Sequence, residues 1–330
     1  MPNSMKAYQV IAPGPPESLV LRELPRPRPK PGWILIKVKA FGLNRAEMFT
    51  RQGHSGGAVV FPRILGIECV GEVVSAPGGE LSPGQKVCAL MGGMGRDFDG
   101  SYAEYTIVPE AHVAPLSTDL PWEKLAAIPE TFLTAWGSCV EILRVCKGDN
   151  VLIRGGTSSV GLAAITICKK LSARVLATTR KQDKQSLLKE CGADVSLLDN
   201  GTISTTLRDQ VPEGVDHVLE LIGVKTLRDS LQCAKLGGTV CNTGILGNQW
   251  VFSDFQPMVD IPHGVKLTSF NSGESKARDA AATLQEAVNE VESGSYRLNL
   301  HKVFAFSDLH KAHQLMDSGS ARGKIVVLVD

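Results

Sequence analysis

Val151-Leu152-Ile153-Arg154-Gly155-Gly156-Thr157-Ser158-Ser159-Val160-Gly161-Leu162-Ala163-Ala164 decides how the rest of the chain is read. It begins as a short apolar run, breaks into glycines and hydroxyls, and continues with small apolar residues at helical spacing. That order predicts a buried strand, a tight turn and a helix start. A helix that begins there aims free backbone N–H groups and its positive dipole end over the turn, which suits a phosphate. Gly155 and Gly156 permit a sharp turn and close approach of a ligand, and Gly161 permits close helix–strand packing. Ser158 stands where the middle glycine of a G-x-G-x-x-G loop would be. The loop by itself therefore fits both an ordinary strand-to-helix turn and a dinucleotide site.

The next strand, Arg174-Val175-Leu176-Ala177-Thr178, favours the second. Its end lies about twenty residues beyond the glycines, where a nicotinamide dinucleotide site places its ribose reader. A carboxylate there would accept the 2′-hydroxyl of NAD. This chain has Thr179, Arg180, Lys181 and then Lys184. A guanidinium fork binds a 2′-phosphate that a carboxylate would repel. The loop and the strand end together predict NADP(H), with Gly156, Ser158, Ser159, Val160, Thr179, Arg180 and Lys184 around it.

On either side of this stretch the period of the sequence changes. Before about residue 126 it reads as short strands, at 5–10, 19–23, 33–41, 67–75, 86–90 and 101–108, with helical turns at 44–51 and a Gly-rich loop at 91–100. Short strands at regular spacing predict a barrel or sandwich. From Trp122 helices appear, at 122–128 and 133–146. Strand and helix then alternate: strands 151–154, 174–178, 195–198, 216–221, 239–243 and 266–270, with helices 160–171, 183–191, 202–210 and 226–235 between them. Alternation of this kind predicts a parallel sheet covered on both faces. The tail adds an amphipathic helix at 277–293, strand 302–306, helix 308–317 and strand 324–329.

The chain has 330 residues, enough for two cores. Hydrophobic residues make up 43% and charged residues 21% of it, the balance of a globular protein. A net charge of +1 provides no basic field for nucleic acid, and no apolar run has the length of a membrane span. Nothing at the N-terminus reads as an export signal. Eight scattered cysteines without a C-x-x-C pair behave as reduced thiols of a cytoplasmic protein. Catalytic zinc wants three converging Cys, His or carboxylate ligands. Of seven histidines only His310 and His313 lie close together, and they read as a surface pair. No metal is expected.

The chain resembles the zinc-free quinone oxidoreductase (zeta-crystallin-like) branch of the medium-chain dehydrogenase/reductase superfamily over essentially its whole length. The resemblance is carried by Gly42-Leu43-Asn44-Arg45-Ala46-Glu47, Leu65-Gly66-Ile67-Glu68-Cys69-Val70-Gly71-Glu72-Val73, Gly100-Ser101-Tyr102-Ala103-Glu104-Tyr105, Phe132-Leu133-Thr134-Ala135-Trp136, the 155–161 loop and Arg322-Gly323-Lys324-Ile325-Val326. Zinc-dependent relatives have a cysteine at the position of Asn44 and a histidine at that of Ile67. The resemblance implies an α/β protein: a GroES-like β-barrel catalytic domain from residues 1–126 and 271–330, and a doubly wound Rossmann domain from 127–270, with the nicotinamide in the cleft between them.

The resemblance also implies roles. Asn44 lies near the substrate carbonyl, as a neutral donor to a quinone oxygen on which negative charge develops. Arg51 matches an arginine near the same pocket. Thr134 matches a residue beside the nicotinamide ribose or phosphate. Gly223, Gly244, Ile245 and Leu246 match strand ends that border the nicotinamide. Phe270, Asn271 and Lys324 sit in segments that close over the cofactor. Where well-known members have tyrosines this chain has Phe49 and, nearby, Ser55, so no tyrosine proton donor is expected. The activity implied is NADPH-dependent hydride transfer to quinones or similar activated carbonyl or enone acceptors. Alternatives are a 2-enoyl-thioester or alkenal reductase, and a crystallin-like NADPH-binding or RNA-binding role with little turnover; the near-neutral charge argues against RNA. Relatives dimerise through the edge of the cofactor-domain sheet, and segment 239–252 would serve that here.

Overall fold

The computed structural model describes residues 3–275 and 279–329. The chain divides into two compact units, Met1–Leu133 with Ser272–Asp330, and Thr134–Asn271. The seams expected after 126 and 270 compare with changes of unit after 133 and 271.

The first unit contains β1 (Ser4–Val10), β2 (Leu19–Pro25), β3 (Trp33–Gly42), α1 (Arg45–Arg51), β4 (Arg63–Ile64), β5 (Glu68–Ser75), β6 (Lys86–Leu90), β7 (Tyr105–Pro109) and β8 (Val113–Pro115). It then runs into α2 (Trp122–Leu125) and α3 (Pro129–Trp136), within which the chain passes to the second unit. That unit comprises β9 (Asn150–Arg154), α4 (Ser159–Lys170), β10 (Arg174–Thr179), α5 (Gln185–Glu190), β11 (Val195–Leu198), α6 (Ser204–Gln210), β12 (Val215–Glu220), α7 (Val224–Cys233), β13 (Ala234–Asn242), α8 (Pro257–Asp260) and β14 (Lys266–Ser269). The first unit is completed by α9 (Ala281–Glu292), β15 (Leu300–Ala305), α10 (Leu309–Asp317) and β16 (Lys324–Leu328).

The second unit is the doubly wound fold expected. Its strands are all parallel, in the order β11-β10-β9-β12-β13-β14. The order reverses beside β9, so the carboxyl end of β9 is the topological switch point where such sheets take ligands. Leu152, Leu176, Val218 and Val240 bury one sheet face against Leu207, Leu227 and Leu231 of α6 and α7. The first unit has a mostly antiparallel sheet, β15-β16-β3-β5-β6-β8, with β7 also on β3, and a smaller sheet β2-β1-β4. β15 and β16 run parallel, the exception in that sheet. Alternate residues of β3, Ile34, Ile36 and Val38, enter a core shared with Phe41, Leu65, Met94, Tyr102 and Val327.

Several elements differ from expectation. The strand expected from Ser101 begins at Tyr105, because Ser101 and Tyr102 donate their N–H groups to Gly66 and Leu65 instead of a sheet neighbour. The helix expected over 133–146 is α3 followed by a wider π-helical turn at Gly137–Ile142. A side chain at Gly137 would collide with the ring of Phe270, and the Ser138 hydroxyl donates back to the Thr134 carbonyl at 2.8 Å. The tail helix covers 281–292; residues 277 and 278 of the expected 277–293 lie outside the described residues. β4, β8 and α8 are too short to stand out in a periodicity. All eight cysteines are free and all but Cys146 are buried. No helix among the described residues is long and apolar enough to cross a membrane.

Candidate functional site

The glycine turn in the second unit is built mostly from backbone. Gly155 leaves β9 at φ +85, a left-handed conformation that costs glycine nothing. Its N–H is held by the Thr178 hydroxyl and that of Gly156 by the Thr178 carbonyl, at 3.0 Å each. A Cβ at Gly161 would lie 2.6 Å from the Gly155 carbonyl oxygen, so only glycine lets α4 start this close to the strand. Ser158, the apparent misfit in the motif, is the N-cap of α4: its hydroxyl accepts from Gly161 N–H at 3.1 Å and donates to the Gly155 carbonyl at 2.9 Å. Ser159 and Val160 form the first helical turn beyond it.

At the end of β10, Thr179 is buried and its hydroxyl binds the backbone of Lys181. Arg180 and Lys181 are exposed, and the Arg180 side chain makes no hydrogen bond or ion pair among the described residues. Lys184, expected beside Arg180, is only 6% exposed, so burial withdraws it from the exposed cation cluster. Lys181 is the exposed neighbour in its place.

Gly223 opens α7, and its N–H and that of Ile222 are held by the buried Glu220 carboxylate at 3.0 and 2.6 Å. Burial raises the Glu220 pKa, against hydrogen bonds from Ser230 and the nearby Arg154. Gly244 packs against the Leu221 backbone, and the N–H of Leu246 returns to Leu221 at 3.0 Å, which fixes the 244–246 loop beside Gly223. Thr134 is joined to Thr243 through Ser138, whose hydroxyl lies 2.9 Å from that of Thr243. Phe270 rests on Gly137, and Asn271 follows it, exposed. The second unit therefore holds three local groups: the 155–161 turn with Arg180, the Gly223 and Gly244 loops, and Thr134 with Ser138 and Thr243.

The first unit holds Asn44, Arg51 and Lys324. Asn44 caps α1 with its backbone N–H bound to Glu47 at 2.9 Å. Its side-chain Nδ2 donates to Glu68 at 2.9 Å, and its Oδ1 accepts from Lys324 Nζ at 2.6 Å. Lys324, expected near the cofactor, is 2% exposed and also bound to Glu68, itself 1% exposed, at 2.6 Å. A Cβ at Gly42 would overlap the Lys324 side chain and lie 2.6 Å from Glu68 Oε1, so the glycine of the 42–47 motif makes room for this pair. Burial pushes the Glu47 carboxyl up to about 7, although it accepts from Ile67 N–H and lies near Lys324.

Arg51 is a correction. Its guanidinium is not open to a substrate or to solvent: it is fully buried, with Nη2 on both Asp317 oxygens at 2.7 Å, Nη1 on the Gly14 carbonyl at 2.6 Å and Nε on His313 Nδ1 at 3.2 Å. It pins α1 to α10. His313, expected on the surface, is 0% exposed. Because its Nδ1 accepts from Arg51, its Nε2 carries the proton toward Tyr102, 3.0 Å away. Burial and Arg51 lower its pKa to about 3. No group of three or more His, Cys, Asp or Glu side chains among the described residues is placed to hold a metal ion.

Sequence reasoning passed over Glu68, Glu220 and Arg154. Arg154 is fully buried and bridges Asp199, at 2.9 and 3.0 Å, to Asp229, at 2.7 Å. Each of the three is a charge at one end of an apolar strand, which is the one signal that pointed to it.

Residues 30–118 match the family described as alcohol dehydrogenase GroES-like domain, and residues 191–327 the family described as zinc-binding dehydrogenase. The chain is 28% identical over 335 residues to the quinone oxidoreductase of Pongo abelii, covering 98% of each. It is 28% identical over 320 residues to the squalestatin tetraketide synthase of a Phoma species, covering 89% of this chain but only 11% of that much longer protein. A mycobacterial protein solved in complex with NADPH superposes with a TM-score of 0.87 at 25% identity, covering 98% of this chain and 99% of that one. The chain belongs to the medium-chain dehydrogenase/reductase superfamily, with a GroES-like unit and a Rossmann unit, and it is an oxidoreductase.

Proposed function

We propose that the protein is an NADPH-dependent reductase that passes a hydride to quinones or similar activated carbonyl or enone acceptors, without zinc. The observation that carries this reading is the end of β10: no carboxylate, and an exposed, uncommitted Arg180 beside the glycine turn. The turn fits a pyrophosphate, since Gly155 takes a left-handed turn out of β9 and Gly161 lets α4 start against that turn, with the first N–H groups of the helix beside it. Arg180 and Lys181 suit a 2′-phosphate. Thr134, the Gly223 and Gly244–Leu246 loops, and Phe270 with Asn271 are assigned to the nicotinamide side. The NADPH complex of the mycobacterial neighbour supports the choice of cofactor. When bound, NADPH supplies the hydride.

The chain's own part is placement. Asn44 offers its amide N–H to the acceptor oxygen as charge develops there. Asn44 and Ile67 stand where zinc-dependent relatives have ligands, which supports a reaction without the metal. A hydroquinone anion is stabilised by its own ring, so a tyrosine acid is not required. The likeness to quinone oxidoreductases supports the acceptor class.

A second reading has its own support in the tetraketide synthase relatives. In this second reading the acceptor of the present chain is a 2-enoyl thioester or alkenal, with hydride delivered to the β-carbon and a proton to the α-carbon. Consumption of NADPH with a quinone panel set against an enoyl-thioester panel separates the two, and turnover with neither removes both. We also propose a homodimer through the exposed apolar side chains Trp250, Val251, Met258 and Val259 that follow β13, itself an inner strand with β14 outside it, and a cytoplasmic setting that keeps the eight cysteines reduced. Light scattering that shows only monomer removes the dimer.

A further inference from the structure

Asn44 is chemically two-faced. One end of its amide accepts hydrogen bonds, the other donates, and the two ends have nearly the same shape. Which end is offered outward depends on its neighbours. An ammonium can only donate, so Lys324 fixes Oδ1 toward itself, at 2.6 Å. A carboxylate can only accept, so Glu68 fixes Nδ2 toward itself, at 2.9 Å. The two neighbours are themselves locked together at 2.6 Å, and the second Glu68 oxygen is held by Glu130 N–H at 2.9 Å. Both are almost completely buried, whereas Asn44 is partly exposed. Of the two N–H bonds on Nδ2, one goes to Glu68 at 2.9 Å and the other to Glu47 at 3.4 Å, the weaker of the two and the one that an acceptor oxygen would take over.

We propose that Glu68 and Lys324 are positioning residues that set the Asn44 amide with a donor, and never the acceptor, turned toward the acceptor oxygen. Accepting a hydrogen bond from a cation at Oδ1 also draws charge from the amide nitrogen and strengthens its remaining N–H as a donor. The pair acts only through Asn44 and does not touch the substrate. This inference rests on the role given to Asn44 above. It assigns Lys324, which the resemblance placed with the cofactor, to the acceptor side.

The test uses the full chain with Lys324→Met. The double variant Glu68→Gln/Lys324→Met removes both charges together, and so leaves no lone buried ion if the single variant does not fold. Loss of one preset donor is expected to lower kcat by roughly 10–100-fold with NADPH affinity unchanged. The loss should grow from strongly oxidising quinones to acceptors of lower reduction potential, which lean more on the donor. In 15N NMR the Asn44 side-chain NH2 protons should exchange with water roughly tenfold faster in the variants. An equal loss with every acceptor that follows NADPH affinity, or unchanged amide exchange, overturns the inference. If the unvaried protein reduces no quinone or enone, the functional reading fails, while the amide-exchange comparison still decides the orientation.

Discussion

The 155–161 turn of the second unit and the Asn44–Glu68–Lys324 cluster of the first are built by opposite means. The turn is backbone: glycines, one capping serine, and N–H groups supplied by a helix start. The cluster is side chain: three polar residues from the cap of α1, β5 and β16, separated by up to 280 positions, with Glu68 and Lys324 buried and Asn44 partly so. A backbone device tolerates change in most of its side chains, because few of them make it. A buried side-chain device tolerates almost none, because each charge left alone pays its full desolvation. The buried ion pairs of the first unit should therefore respond to substitution mainly in stability, and the turn with its neighbouring Arg180 mainly in ligand choice.

The largest expected effect sharpens the first half of that contrast. Arg51→Ala leaves Asp317 and His313 without their partner, and should cost about 3–5 kcal/mol in urea unfolding. A loss below about 1 kcal/mol would mean that buried ion pairs do not dominate this unit.

The next effect is in pH. Glu47 titrates near 7 folded against 4.5 unfolded, so the folded state holds its proton more tightly. Its contribution is complete below pH 4.5 and is lost as pH rises to 7, on the order of 2–3 kcal/mol. His313 has the opposite sign: with a folded value of about 3 below an unfolded 6.5, its contribution is complete above pH 6.5 and lost on acidification toward 3. Glu47→Gln should flatten the fall in stability between pH 4.5 and 7 and leave the acid limb in place. An unchanged slope would show that Glu47 is ionised throughout.

The second half of the contrast is tested in binding. Arg180→Ala should weaken NADPH by roughly 1.5–3 kcal/mol in calorimetry and leave NADH nearly unaffected. Equal affinity of the unvaried protein for both cofactors would break the comparison at its centre. The smallest effect is Ser158→Ala, which removes only a helix cap and should cost about 1 kcal/mol of thermal stability. A loss as large as that of Arg51→Ala would show that the turn, too, depends on side chains.

The sequence was most legible where structure is local. β9, the turn and α4 came from an apolar run, glycines and helical spacing within fourteen residues, and the alternation that follows led to the parallel sheet. Ser158 looked like a defect in the motif, and its use as a cap needed only its neighbours. Lys184 and Arg51 misled for the same reason as each other: a charge in a sequence carries no sign of burial. His313 lay beside His310 in the chain, yet it faces Arg51 and Tyr102 from distant elements.

The amino-acid order by itself determined the two folds, the glycine turn and the absence of a carboxylate at the end of β10, because these depend on periodicity and on contacts within a few residues. Only the tertiary structure decided that Arg51 is a fastener, that Lys184 is covered, and that Lys324 stands at Asn44. Those outcomes depend on which strands and helices meet, and a side chain's partners are chosen by packing across hundreds of positions, which no local pattern records.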